Sequence, residues 1–186
     1  AYTEAVCRNL RHFTNNTVAD TLYFGGGTPS LLAPEQLEQI LACAAACFSI
    51  PPDAEITLEA NPATLTPENL RRLRAAGVNR LSLGVQSLSD AQLRRLGRMH
   101  TAQEALDTVE AAAGAGFRNI SCDVMLALPK QTPAELSETL EQMAQLPIQH
   151  ISAYLLKIES GTPFARQHAE QECPDEDTAA DLYLQT

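Results

Sequence analysis

The sequence predicts an α/β protein built on a parallel β-sheet with helices outside it. Three observations carry that reading. Short β-rich runs recur along the chain, amphipathic helical sequence fills each interval between them, and the helix starts are marked by capping residues. A βα unit repeated at roughly 30-residue spacing is the mark of parallel crossover connections. Periodicity leaves open whether the sheet is open and doubly wound or curled toward a barrel.

The β-rich runs are Thr21–Phe24, Glu55–Leu58, Arg80–Gly84, Ile120–Val124 and His150–Tyr154. Between them, Leu37, Ile40, Leu41, Ala44 and Phe48 follow one helical face, as do Leu136, Leu140 and Met143. Helix starts are expected at Thr66 before Pro67 and at Thr132 before Pro133, with Glu135 in the capping-box position. Ser89 is paired with Gln92, and Thr101 with Glu104, on the same reasoning. Gly77 and Gly116 stand where helices should stop. Beyond Phe164 the pattern dissolves into an acidic stretch, read as a connector. Residues 1–166 are therefore expected to form the core and 167–186 to begin a connector toward a further domain.

Composition narrows the function. With 45% apolar residues in 186, the chain can bury a core and is expected to be one globular domain. A formal net charge of -10 argues against nucleic acid or anionic lipid as partner, because that field repels polyanions. The five cysteines, Cys7, Cys43, Cys47, Cys122 and Cys173, are odd in number and scattered, which suits a reducing compartment, here read as the cytoplasm. No long apolar run marks an integral membrane protein. The opening AYTEAVCRNL has neither an initiating Met nor a signal-peptide pattern, so the start is expected to be internal to a longer chain.

In parallel βα architectures the chemistry gathers beyond the carboxyl ends of the strands. After the first run come Gly25, Gly26, Gly27, Thr28 and Pro29; the second ends in Glu59 and Asn61; the third leads to Gln86, the fourth to Asp123, and the last to Tyr154 and Lys157. A glycine run at a strand end permits close approach of a small polar ligand, or simply makes a tight turn. It lacks the Gly-Lys-Ser/Thr of a P-loop and the spacing of a dinucleotide fingerprint. Glu59 and Asp123 are pure acceptors suited to ribose hydroxyls or an ammonium, and Gln86 both donates and accepts; each could equally cap a neighbouring helix. Arg98, in RRLGRMH, reads from its neighbours as a solvated surface charge. His12, His100, His150 and His168 show no metal-ligand spacing, so no metal site is expected. Cys43 and Cys47 fall on an apolar helical face and read as core.

The phrases TLYFGGGTPSLL, EITLEANPATLT, GVNRLSLGVQSLSDAQLRRLGRMH, DVMLALPKQTP and HISAYLLKIESGTPF resemble the oxygen-independent coproporphyrinogen III oxidase family of radical S-adenosylmethionine (SAM) proteins. GVQS followed by RLGRMH, with LKIESGTPF, is more similar to its heme chaperone (HemW-like) branch than to the oxidase.

The resemblance implies a partial, TIM-like (β/α)6 barrel whose first strand and Cys-x3-Cys-x2-Cys loop are absent here, so the ligands of the 4Fe-4S cluster lie outside this chain. It further implies that Gly26, Gly27 and Thr28 line the methionine end of SAM, that Glu59, Gln86 and Asp123 contact the cofactor, and that Arg98 does too, against the surface reading. No catalytic or metal-ligating residue is expected among these 186, which alone form an incomplete scaffold. Heme or a porphyrin is the implied cargo or substrate, with a heme-acceptor protein as partner; Met99, His100 and His150 are heme-ligand candidates by residue type. Ala127 departs from the family's glycine, and Lys157 from the threonine frequent in the chaperone branch.

Overall fold

The computed structural model describes residues 1–13, 17–167 and 169–186; His168 lies outside the described residues. Strands β1 (Thr21–Phe24), β2 (Glu55–Ala60), β3 (Arg80–Gln86), β4 (Asn119–Leu126) and β5 (His150–Leu155) pair in the order β1-β2-β3-β4-β5, every pair parallel. All five expected runs are strands, extended by a residue or two where Ala60, Gln86 and Leu126 continue the pairing. A doubly wound sheet reverses its strand order midway; this one advances in one direction, which settles the alternative left open by periodicity in favour of a barrel-type sheet.

That order decides where the core lies. Right-handed crossovers between successive neighbours place every intervening helix on the same face. The helices are α1 (Tyr2–His12), α2 (Pro34–Cys47), α3 (Pro67–Ala75), α4 (Asp90–Arg95), α5 (Ala102–Gly114), α6 (Pro133–Met143), α7 (Pro163–Arg166) and α8 (Glu176–Leu184). One cluster joins Leu37 and Leu41 of α2, Leu70 and Leu73 of α3, Val109 and Ala112 of α5, Leu136 and Met143 of α6 and Leu182 of α8 to alternate strand residues. The strand contributions are Leu58 and Ala60, then Leu81, Leu83 and Val85, then Ile120, Cys122, Val124 and Leu126. Because side chains alternate across a strand, the residues between them point to the opposite, inner face.

Local chemistry fixes the helix ends. Thr66, Thr101 and Thr132 each accept a hydrogen bond from the third backbone N–H beyond, and Glu104 and Glu135 complete capping boxes. Ser89 does precede α4, but it makes no side-chain cap; Gln92, its expected partner, is instead 1% exposed and turned into the interior. The acidic stretch after Phe164 contains α8, which lays Leu182 into the core while Gln185 donates to the carbonyl of Pro133.

Helix α1 was not legible in the sequence: it starts without a side-chain cap. It packs on α2 through a second small cluster of Cys7, Ile40, Cys43 and Cys47, which makes Cys43 and Cys47 core residues as expected. Strand β1 has a single neighbour among the described residues, and an apolar cleft of about 530 Å³ runs beside it between α1 and α2.

Among the described residues, three non-glycine residues have positive φ: Gln86 (70°), Ala127 (55°) and Lys130 (59°), all at or just beyond the carboxyl ends of β3 and β4. Replacing Ala127 with glycine is expected to stabilise the protein by about 0.5–1 kcal/mol in urea titrations, because a Cβ in the left-handed region costs more than the backbone freedom glycine loses on folding. Loss of stability in Ala127→Gly would show that the turn carries no such strain.

Candidate functional site

The inner face is polar along nearly its whole height. Tyr23 of β1 donates to Glu59 of β2 at 2.6 Å; Ser82 of β3 donates to Asp123 of β4 at 3.3 Å; the Ser121 and Ser152 hydroxyls of β4 and β5 share a bond of 3.4 Å. Lower down, Arg80 lies 3.9 Å from Glu55, and Thr57 donates to Glu55 at 2.9 Å. These polar groups satisfy one another across strands, as partly buried groups must.

At the carboxyl end of the sheet this face opens into a polar cleft of about 220 Å³. Gly27, Thr28, Glu59, Gln86, Arg98 and Asp123 all line it, so six of the seven expected site residues meet in one space. The seventh, Gly26, adjoins it and is held by its backbone N–H, which donates to Glu59 Oε2 at 3.1 Å. The surface reading of Arg98 is corrected by its place on the cleft wall: it is half-buried, and among the described residues no carboxylate pairs with it.

Ser82 and Gly84 line the cleft without having been singled out from sequence. Gly25 and Gly84 are spacers: a Cβ on Gly25 would lie 2.6 Å from the Tyr23 ring, and one on Gly84 would lie 2.9 Å from Gln86 Nε2. Gly26 and Gly27, by contrast, have φ of 80° and 67° and nothing within 4 Å of an added Cβ, so their backbone is open to a ligand. A register shift between Leu83 and Gln86 turns Gln86 out of the regular ladder, and such bulges re-aim side chains.

The two carboxylates differ. Glu59 uses both oxygens inside the protein, one for Tyr23 and one for Gly26, yet each oxygen keeps a lone pair for a ligand. The bond to Glu59 pushes the Tyr23 hydroxyl up to about 12, so it stays a donor. Asp123 is held above the usual aspartate range, chiefly by burial; the Ser82 and Ser152 hydroxyls pull the other way, and Glu59 adds to the rise. Burial lowers Arg98 from its ordinary value and Asp123 opposes that shift.

Two of the heme-ligand candidates are not available at the cleft. His100 is 2% exposed with both ring nitrogens hydrogen-bonded, and His150 begins β5, at the opposite end of the sheet. Met99, beside Arg98, is 87% exposed.

The family model of the radical SAM superfamily matches residues 3–143, a span that includes every one of these cleft residues. The chain is 37% identical over 185 residues to the heme chaperone HemW of Lactococcus lactis, covering 98% of this chain and 48% of that protein. It is 41% identical over 165 residues to HemW of Escherichia coli, covering 89% of this chain and 43% of the relative. Bovine radical S-adenosyl methionine domain-containing protein 1, mitochondrial, is 39% identical over 166 residues, covering 88% of this chain and 38% of its own length. Among solved structures, coproporphyrinogen III oxidase (HemN) from Escherichia coli superposes with a TM-score of 0.88 at 28% identity, over 98% of this chain and 43% of that one. The chain thus spans less than half the length of these relatives.

The raised Asp123 carboxyl sets a sign for stability. The folded state keeps its proton at pH values where the unfolded chain has lost it, so this group subtracts stability as pH rises from the ordinary aspartate range through the raised folded value. Asp123→Asn is therefore expected to be more stable than the wild type at pH 7, with the advantage vanishing below the ordinary aspartate range. Urea titrations at both pH values check it, and equal stability at pH 7 contradicts it.

Proposed function

The chain belongs to the radical SAM superfamily, and from that premise we propose that it is the SAM-binding core of a heme chaperone of this superfamily. The observation that carries the reading is the donor and acceptor set of the cleft. SAM presents an ammonium, a carboxylate, ribose hydroxyls and a sulfonium. Glu59, Asp123 and Gln86 offer acceptors, Arg98 is a half-buried cation in no salt bridge among the described residues, and Gly26 and Gly27 leave open backbone. Arg98 suits the carboxylate, and the acceptors suit the ammonium and the ribose hydroxyls.

In this reading Gly26, Gly27 and Thr28 receive the methionine end and Arg98 takes the carboxylate, while Glu59, Gln86 and Asp123 supply acceptors. The chemistry that the cofactor brings, when bound beside a 4Fe-4S cluster, is one-electron cleavage of a carbon–sulfur bond. This chain's own residues bind, orient and exclude water. Among the described residues no group of histidine, cysteine and carboxylate side chains could hold a metal ion.

The identities of 37–41% to heme chaperones support heme as the cargo, to be passed to a heme-acceptor protein. Five free cysteines support residence in the reducing cytoplasm, and no described helix is long and apolar enough to cross a membrane. A second reading, oxidative decarboxylation of coproporphyrinogen III, draws on the backbone likeness to the oxidase at 28% identity. Turnover of coproporphyrinogen III by the full-length protein would favour it; stable heme binding without turnover favours the chaperone.

Glu59→Ala and Asp123→Ala in the full-length protein are each expected to weaken SAM binding about tenfold by calorimetry, since each removes partly buried acceptors that line the cleft. Unchanged affinity in both would remove these residues from the site. Gly84→Ala tests the floor of the cleft separately. Its Cβ meets only the flexible end of Gln86, so the melting temperature is expected to hold while SAM affinity falls. An unchanged affinity there would mean that Gln86 does not touch the cofactor.

A further inference from the structure

His100 is buried beside the cleft, two residues beyond Arg98, and both of its ring nitrogens face acceptors. Nε2 lies 3.1 Å from the carbonyl oxygen of Val85 at the end of β3. Nδ1 lies 3.2 Å from Oδ1 of Asn61, the residue that follows β2. The atom at Asn61 is fixed as oxygen by a second donor, since the backbone N–H of Ala63 also bonds to it at 3.2 Å.

Asn61 is held on its other sides as well. Its N–H donates to Ser30 Oγ at 3.3 Å, and its carbonyl accepts from Thr64 Oγ1 at 2.7 Å. A neutral ring donates to only one of these two oxygens, and burial lowers His100 from its ordinary value; as imidazolium it donates to both and closes a belt of hydrogen bonds from the loop after β1, through Ser30 and Asn61, to the end of β3. Asn61 lines the cleft, and Val85 directly precedes Gln86, whose left-handed φ of 70° persists only where the surroundings over-determine it.

We propose that His100 is a positioning residue of the cofactor cleft, tying the end of β2 to the end of β3 so that Asn61 and Gln86 face SAM in fixed relation. The proposal rests on the reading of this cleft as the SAM site. His100 touches no reacting atom; it acts through Asn61 and through the Val85–Gln86 peptide. The same short segment delivers Arg98 to the cleft wall, so one buried ring sets the relation of three cofactor-facing elements.

The test is a double-mutant cycle on SAM affinity in the full-length protein, with thermal melts of every variant. His100→Ala and Asn61→Ala are each expected to weaken SAM binding about tenfold. The double variant is expected to be no weaker than the weaker single, because both remove the same tie. His100→Gln, whose side-chain NH2 carries two donor hydrogens for the two oxygens, is expected to recover part of the affinity. Losses that multiply in the double variant overturn the proposal, as does a His100→Ala protein that melts lower but binds SAM as the wild type does. If His100→Ala does not fold, the Asn61→Ala and His100→Gln pair decides: wild-type affinity in Asn61→Ala overturns it. A wild-type protein that fails to bind SAM overturns the cofactor reading and this proposal with it, whereas wild-type binding beside unaffected variants overturns this proposal alone.

Discussion

The constraint on which the rest of the structure depends is that all four crossovers connect adjacent parallel strands in one direction. With every helix on one side, apolar strand residues have a single face on which to be buried, and strict alternation consigns the others to the inner face. Leu58, Leu81, Leu83, Ile120 and Leu126 are fully buried against helices, each worth about 1.5–3 kcal/mol of transfer free energy. Their neighbours Thr57, Ser82 and Ser121 are almost as deeply buried yet polar, and an unpaired hydroxyl there would cost about 1–3 kcal/mol. The cross-strand bonds of the inner face answer that requirement, and the same network, continued upward, becomes the cleft.

Backbone strain gathers where the network meets solvent. The lower parts of the strands are regular, whereas Gly26, Gly27, Gln86, Ala127 and Lys130 all carry positive φ at or just beyond the carboxyl ends of β1, β3 and β4. Lys130 is clamped in that state from outside: its N–H donates to the Glu172 carbonyl at 2.7 Å and its ammonium pairs with the Glu172 carboxylate at 2.6 Å. Gln86 has instead the bulge and the His100 contact to Val85. A regular scaffold with irregular, over-determined ends is what a cleft needs if its groups are to stay aimed without a ligand.

The strands and most helix boundaries were legible because their signals are local: β-branched and apolar runs for the former, Thr-Pro and Thr-x-x-Glu for the latter. The site was legible in part. Strand ends are where such folds place chemistry, so Glu59, Gln86 and Asp123 stand out from their positions at the ends of the β-rich runs. Arg98 does not, because a basic residue three places from Arg95 looks like any solvated helix charge until the fold turns it inward. The long-range partners of Tyr23, Ser82 and His100 were hidden for a related reason. Their partners lie 36, 41 and 39 residues away, and nothing in a sequence gives the register that brings Tyr23 beside Glu59 or His100 beside Asn61. Ser89 and Gln92 show the converse: the local capping pattern is not used, and Gln92 is instead buried with neither side-chain polar atom hydrogen-bonded, for which the fold shows no compensating contact.

The charges of the cleft argue for a cation-bearing ligand. Two carboxylates, Glu59 and Asp123, and one guanidinium, Arg98, leave one negative charge when all are ionised, in a space where burial already holds Asp123 toward its protonated form. The mutual repulsion of Glu59 and Asp123 is part of that rise, so a positive group placed between them relieves a cost the two carboxylates otherwise bear. An anionic nucleotide would add to it. SAM carries a zwitterionic methionine end and a sulfonium, hence one net positive charge, and it complements the cleft's balance; its demethylated thioether form lacks that charge and forgoes this part of the attraction. In the proposed reading, discrimination between the two would arise from the field of residues already fixed by the fold, with Arg98 placed to confine the carboxylate so that the cationic centres fall on the acidic side.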